Sequence, residues 1–264
     1  MQEGVLVIKN RAIQHYIDLL VVLTHKEMKV RYKSSYLGYA WSILQPLSFA
    51  LVFFIAFKIV MRIQMDNYTL FLLAGLFPWQ NLSSSLLSSP LVFVGNSNII
   101  KKVNFPRNLL VTAAIFSDMI HFLLALPVLV FFMFISGQVP DLLAWLYGVP
   151  LLILVQFLIQ YGIGIAIASL NLFFRDLEKL TTIAITMLFY CTPIIYPLSM
   201  VPEKYQPLIA LNPVAPIMVS WRGLLLNGTL DLRMIGISLF YGVLFLILGT
   251  SLYRRLSWKF AEVL

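Results

Sequence analysis

Charged side chains are scarce in this sequence. Only 11% of its 264 residues are Asp, Glu, Lys or Arg, while 60% are hydrophobic. A soluble domain carries roughly 25% charged residues, so water alone cannot solvate this surface and a bilayer is the solvent the composition calls for. Cysteine is nearly absent as well, and the single Cys191 excludes an intramolecular disulfide. No glycine opens a G-x-x-x-x-G-K-[ST] loop and no Gly-Lys dipeptide occurs, which excludes a phosphate-cradling nucleotide site in this chain. The three histidines, His15, His25 and His121, stand apart from one another and from Cys191, so no metal-ligand spacing is present. Nucleophile elbows and paired acids are missing too. The opening residues, "MQEGVLVIKNR", lack an apolar core long enough for a secretory signal.

Long apolar runs and a positive balance are what the sequence does contain. The predicted class is an all-α integral membrane protein forming one domain over 1–264. Residues 12–33 read as an interfacial amphipathic helix, with Ile13, Ile17, Leu20, Val21, Thr24 and Met28 on one face and Gln14, Asp18, His25 and Lys29 on the other. Six transmembrane helices are predicted at 36–60, 69–94, 108–136, 142–174, 180–196 and 234–253. The second and fourth lie in charge-free runs too long for a bilayer core of about 30 Å, and Pro78 and Pro90 are candidate breaks in the second. Between spans five and six, Pro197, Pro202, Pro207, Pro213 and Pro216 forbid one continuous helix, yet the segment is apolar. Residues 197–223 therefore read as a proline-broken re-entrant hairpin, a candidate gate over a cavity.

The net charge of +8 raises the question of nucleic acid, but the cations flank apolar segments. Fourteen of the nineteen fall on one side of a six-span topology: Lys9, Arg11, Lys26, Lys29, Arg31, Lys33, Lys101, Lys102, Arg107, Arg175, Lys179, Arg254, Arg255 and Lys259. Positive-inside topology accounts for them, puts both termini in the cytoplasm and leaves no role for a nucleic-acid partner. Arg62, Lys204, Arg222 and Arg233 are assigned outside.

Within the spans, Asp118 is an ionisable group with His121 one turn later on the same face. A carboxylate at a helix centre costs roughly 2.5–3.5 kcal/mol on insertion scales, so it needs a partner or water. An interhelical hydrogen bond, a position facing an aqueous cavity, or a proton relay answers that need. Gly162 over Ala166 and Gly164 over Ala168 give small-xxx-small spacing, read as close internal helix packing. Two short loops, "GNSNIIKKVNFPRN" (95–108) and "NLFFRDLEKL" (171–180), read either as solvated turns or as docking surfaces. Tyr32, Tyr36 and Tyr39 fall at i, i+4 and i+7 beside Arg31 and Lys33, which would place three amphipathic rings on one helical face.

Several stretches resemble one family. "RYKSSYLGYAWSILQP" (31–46), "NFPRN" (104–108), "FFRDLEK" (173–179), "TPIIYP" (192–197) and "LNPVAP" (211–216) are similar, in kind and order, to motifs in permeases of bacterial type-2 ABC polysaccharide exporters. That class moves O-antigen and teichoic-acid chains. The resemblance implies a homodimer in the bacterial inner membrane, bound to two cytoplasmic ATPase subunits that hold ATP and magnesium. This chain would then bind no cofactor and catalyse no reaction. It implies contact with the ATPase through Asn98, Lys101, Lys102, Asn104, Phe105, Arg107, Arg175, Asp176 and Glu178. It also implies a gate at Tyr196, Pro197, Asn212 and Pro213. Arg31, Tyr32, Lys33, Tyr36 and Tyr39 would meet a lipid-linked polysaccharide, the cations reading its diphosphate. Alternatives are an ABC permease for a small molecule or lipid, and a proton-coupled secondary transporter.

Overall fold

The computed structural model describes the backbone of residues 2–33, 35–60, 67–205 and 211–263. It describes their side chains except at 2–12, 39, 42, 50, 53, 57, 58, 60 and 261. Arg62 and Pro207, and the side chains of Lys9, Arg11, Tyr39 and Lys58, lie outside the described residues. All regular structure among the described residues is helical.

Helix α1 (Gln2–Arg31) carries Lys29 and Arg31 in its last turn, where cations complement the helix dipole. A short 3₁₀ turn (Gly38–Ala40) leads into α2 (Trp41–Phe53), which continues as a π-helical stretch, Phe54–Val60. Next come α3 (Tyr68–Ser88), the short α4 (Leu91–Gly95) and α5 (Ser97–Lys102), and then α6 (Asn108–Ile135). Helices α7 (Leu142–Asn171) and α8 (Leu177–Cys191) follow. After two 3₁₀ turns the chain forms α9 (Ala215–Asn227), α10 (Leu232–Leu256) and, past a last 3₁₀ turn, α11 (Phe260–Val263). Four helices among the described residues are long and apolar enough to cross a membrane: Tyr68–Ser88, Asn108–Ile135, Leu142–Asn171 and Leu232–Lys259.

Local chemistry explains several boundaries. Helix α6 stops because Gly137 adopts φ +71°, which lets the Gln138 amide close back on the Met133 carbonyl at 2.8 Å. Asp141 caps α7 by accepting from the Ala144 amide, and Asp231 caps α10 by accepting from Arg233 and Met234. The segment expected as one span over 69–94 divides at Pro90, whose missing N–H ends α3. Pro78, the other candidate break, lies inside α3.

Burial is concentrated where α3, α6, α7 and α9 meet around Trp221, Phe77 and Phe122. A second core, around Phe93, Leu110, Val111 and Phe260, ties α4 and α6 to the C-terminal segment. The longest helix contact is between α7 and α10, and glycines make it possible. A Cβ on Gly162 would strike the Phe245 and Leu246 backbone, and one on Gly249 would strike the Gly162 carbonyl. The small-residue spacing at Gly162 therefore serves internal packing, whereas Gly164 faces Ser89 and Val111. Replacing Gly162 or Gly249 by leucine forces two backbones apart, an overpacking cost of roughly 1–3 kcal/mol. Thermal unfolding in detergent should show both variants several degrees below the native chain, while Gly236→Leu, at an open position, should match it.

Candidate functional site

A cleft of about 770 Å³ opens between α2, α3 and α6, with Phe189 of α8 also on its wall. From α3, Gln80, Asn81, Ser83 and Ser84 set amides and hydroxyls into a wall that Leu76, Phe77, Trp79 and Leu87 make otherwise apolar. Trp41, Phe49, Phe77, Trp79 and Phe122 add aromatic faces. The surface therefore alternates flat apolar rings with short hydrogen-bonding groups, the pattern that suits a ligand with C–H faces and a hydroxyl rim.

One end of the cleft is lined by Arg31, the last residue of α1, and by Tyr32, which follows it. Arg31 donates to Asp118 Oδ1 at 2.7 Å, and Ser84 Oγ donates to the same oxygen at 3.0 Å. The Tyr32 hydroxyl lies 3.3–3.4 Å from the His121 ring nitrogens, with the two rings edge to face at 83°. Asp118 is only 2% exposed, so its charge requires these partners. Sequence spacing placed Asp118 and His121 on one face but gave no indication that their partners were the motif at the end of α1. The contact spans 87 positions, and long-range pairing leaves no local trace.

The expected row of tyrosines does not form. The helix ends at Arg31, and the described residues 32–33 and 35–37 are turn, bend or irregular backbone, so Tyr32, Tyr36 and Tyr39 share no helical face. Tyr32 turns to His121, Tyr36 is fully exposed, Lys33 is exposed, and the Tyr39 side chain lies outside the described residues. The physical cause is the turn between α1 and α2, where Gly38 adopts φ +48°.

The segment after α8 is held by a second set of contacts. Its backbone is not helical, so its carbonyls need partners. Arg222 of α9 supplies two, donating to Pro193 O and Ile194 O at 2.8 Å each, and it also donates to Phe71 O at 3.2 Å. Its guanidinium carbon lies 3.8 Å from the centre of the Phe71 ring. Tyr68 donates to Ile195 O at 2.7 Å. Asn212, 9% exposed, donates to Cys191 O and Thr192 Oγ1 and accepts from the Val214 amide. Tyr196 donates to Tyr190 O at 3.0 Å, while Pro197 and Pro213 are half-buried. Sequence reading counted Arg222 only as a loop cation. Nothing local announces that it binds three carbonyls.

The remaining site residues separate into two surfaces. Asn98, Lys101, Lys102 and Asn104 are exposed on and after α5, and Phe105 is half-buried. Arg107 turns inward: it donates to Ser257 O at 3.0 Å and lies 6.0 Å from the ring of Phe260, which is fully buried against Phe93 and Tyr253. Arg107 thus ties its loop to the C-terminal segment and leaves the exposed positions around it free of that task. Arg175, Asp176 and Glu178, beside an exposed Phe174, form the other surface between α7 and α8.

A Cβ on Gly75 would collide with the Arg222 guanidinium, so Gly75→Ala and Arg222→Ala should damage one structure. Each carbonyl left without its donor costs about 1–3 kcal/mol. Both variants should lower the unfolding temperature and raise hydrogen exchange in 192–197. Arg222→Lys should recover less than half of the loss, since an ammonium lacks the planar fork that spans separate carbonyls.

Comparison with known proteins gives a family match and full-length relatives. The family model described as ABC-2 type transporter matches residues 18–226. An O-antigen export system permease protein from Klebsiella pneumoniae is 46% identical over 250 residues, covering 95% of this chain and 96% of the relative. One of the same description from Myxococcus xanthus is 29% identical over 255 residues, covering 96% and 97%. A polysialic acid transport protein from Escherichia coli is 25% identical over 239 residues, covering 87% and 90%. With 46% identity along nearly its whole length and a family match over most of it, this chain belongs to the ABC-2 type transporter membrane family.

Proposed function

We propose that this chain is the channel-forming permease of an ABC exporter that carries a lipid-linked, O-antigen-like polysaccharide across the bacterial inner membrane. The observation that carries this reading is the end-to-end similarity to O-antigen export permeases. The character of the cleft supports it. A polymer of sugars must slide, so its passage has to bind weakly and repeatedly, and one tight site would stall it. Aromatic faces interleaved with Gln45, Gln80, Asn81 and Ser83 offer many shallow contacts and no single deep one.

The chain crosses the membrane six times in this reading, with both termini in the cytoplasm. Helices α3, α6, α7 and α10 are four of the crossings. The fifth is α2 with its π-helical continuation. The sixth is α8, whose 15 residues rise only about 22 Å and need residues 192–197 to complete the passage. The prolines from 197 onward and the start of α9 form the gate on the outer face, held at its base by Arg222 and Asn212. Two copies of the chain pair with the cleft wall toward one another, covering the exposed face of α8 at Leu180, Ile183, Met187 and Tyr190.

Energy comes from a separate cytoplasmic ATPase, which holds the ATP and magnesium. It seats on Asn98, Lys101, Lys102, Asn104 and Phe105 and on Arg175, Asp176 and Glu178. Arg107, anchored to Ser257, passes the movement of its loop to α10 and so to the glycine seam with α7. At the other end of α1, Arg31 and Lys33 attract the diphosphate of the lipid-linked substrate.

Co-purification tests the reading directly. The chain should hydrolyse no ATP alone, should capture a cytoplasmic ATPase subunit, and should raise its turnover when a lipid-linked glycan is present. A chain that captures no such subunit refutes the assignment. Arg31→Ala with Lys33→Ala should lower glycan export about tenfold or more, one to two charge-assisted hydrogen bonds at about 1.5–3 kcal/mol each. The insertion and dimer content of that variant should stay unchanged.

A further inference from the structure

Arg31 enters the cleft already engaged. Its contact with Asp118 falls on one carboxylate oxygen, Oδ1, and Oδ2 accepts no hydrogen bond. The pair is therefore held end-on, without the two parallel bonds of a fork-to-fork arginine carboxylate pair. The carboxylate side chain is 1% exposed and the guanidinium side chain 35% exposed, so the acid sits behind the base and the base faces the cleft. We propose that Asp118 is a positioning residue, anchoring Arg31 through one oxygen so that the rest of its guanidinium is aimed at the diphosphate of a lipid-linked substrate. This rests on the reading of Arg31 given above and names the group through which that residue acts.

Two arrangements are open to an anion arriving at Arg31. It can pull the arginine away from Asp118, or it can bind while the pair stays intact. The first leaves a buried carboxylate with a single hydroxyl donor, Ser84, and a buried charge stripped of its partner is strongly disfavoured. The second disturbs nothing that is buried. An arginine also offers several N–H donors in one rigid plane, so one nitrogen can serve the acid while others serve a phosphate. Without Asp118 the long side chain at the last residue of α1 would sample many rotamers, and that freedom would be lost on binding. Ser84 fixes the acid from α3, and His121 fixes the neighbouring Tyr32 one turn along α6. Both residues that end α1 are thus set against the cleft wall by groups behind them. The pair itself is neutral, so long-range attraction of the anion falls to Lys29 and Lys33, both exposed, and direction falls to Arg31.

The test is a double-mutant cycle on the full chain with its ATPase subunit in lipid nanodiscs, with farnesyl diphosphate as the probe. Inorganic pyrophosphate serves as a parallel arm, separating a lipid headgroup from a free phosphate. Asp118→Ala should weaken farnesyl diphosphate binding about tenfold, Arg31→Ala at least as much, and the double variant no more than Arg31→Ala alone. Asp118→Asn keeps an acceptor for Arg31 and Ser84 and should weaken binding about threefold while folding normally. A stabilising role alone would lower the unfolding temperature of the Asp118 variants and leave their affinity untouched. Unchanged or tighter binding by Asp118→Asn and Asp118→Ala, or losses that multiply independently in the double variant, overturns the proposal. If Arg31→Ala weakens binding and the Asp118 variants do not, only the positioning role fails. If Arg31→Ala with Lys33→Ala binds like the native chain, the diphosphate reading of the mouth fails, and the positioning role with it. Equal binding of inorganic pyrophosphate would assign the site to free phosphate and overturn the lipid-headgroup form of the proposal.

Discussion

A polar group withdrawn from water inside a membrane must find its partner within the protein. Two arginines meet this requirement at the two places where the chain departs from simple apolar helix. Arg31 partners the one buried carboxylate of α6, and Arg222 partners the carbonyls of Pro193 and Ile194 in the non-helical segment that follows α8. Either site would be unstable with its arginine removed. Because the contacts join residues far apart in sequence, they also fix how the helices stand. Asp118 to Arg31 sets the end of α1 on α6, and Arg222 to 193–194 sets α9 under the segment after α8. The cleft is the space between elements so fixed.

The glycine seam supplies the complementary feature, a contact with no polar chemistry. Gly162 and Gly249 bring α7 and α10 to backbone distance, where van der Waals packing is the main attraction available in lipid. That pair is the most continuous contact of the fold. Phe260 and Arg107 connect it to the loop that precedes α6. The contact away from the cleft is thus apolar and closely packed, while the cleft wall mixes apolar side chains with amides and hydroxyls. A conduit needs this division, since the frame must transmit force and the lining must let a polymer pass.

The fold class was legible because composition and apolar run length are properties of the chain as a whole. Low charge announced the membrane, and the proline cluster announced irregular backbone after Cys191. The small-residue spacing at Gly162 announced a close helix contact, though the partner helix was not readable. Helix ends were read less well. Pro78 and Pro90 look alike in sequence, yet Pro90 follows the end of α3 while Pro78 lies buried inside it, where Gln156 donates to its carbonyl. The site was legible in pieces. Arg31 and Asp118 were each singled out, one for its motif and one for its charge in an apolar span, but pairing them required the fold. The three-tyrosine face was misread because period counting assumed a helix through residues that form a turn. Arg222 and the polar run 79–85 were overlooked. The first looked like a surface charge, and the second, two amides and three serines in a charge-free stretch, was a readable signal.

The same physics bears on why the mouth of the cleft carries a neutral pair rather than a bare cation. A free guanidinium facing a diphosphate in a low-dielectric mouth would hold it strongly, because attraction there is several-fold greater than in water. A carrier that releases its substrate after each cycle is poorly served by such a trap. With Asp118 behind it, Arg31 keeps directional donors of the kind the proposed diphosphate reading requires, while its net field is largely cancelled. Recognition is retained and tenacity is reduced. Further along, no charged side chain lines the cleft beyond Arg31 and Asp118 among the described residues, so on the proposed function a sugar chain past the mouth would meet mainly rings, amides and hydroxyls. The arrangement grades from directional recognition at one end to weak, repeated contact along the rest. On the proposed function, such a gradient would let one passage both select a charged head and let a long sugar chain follow it.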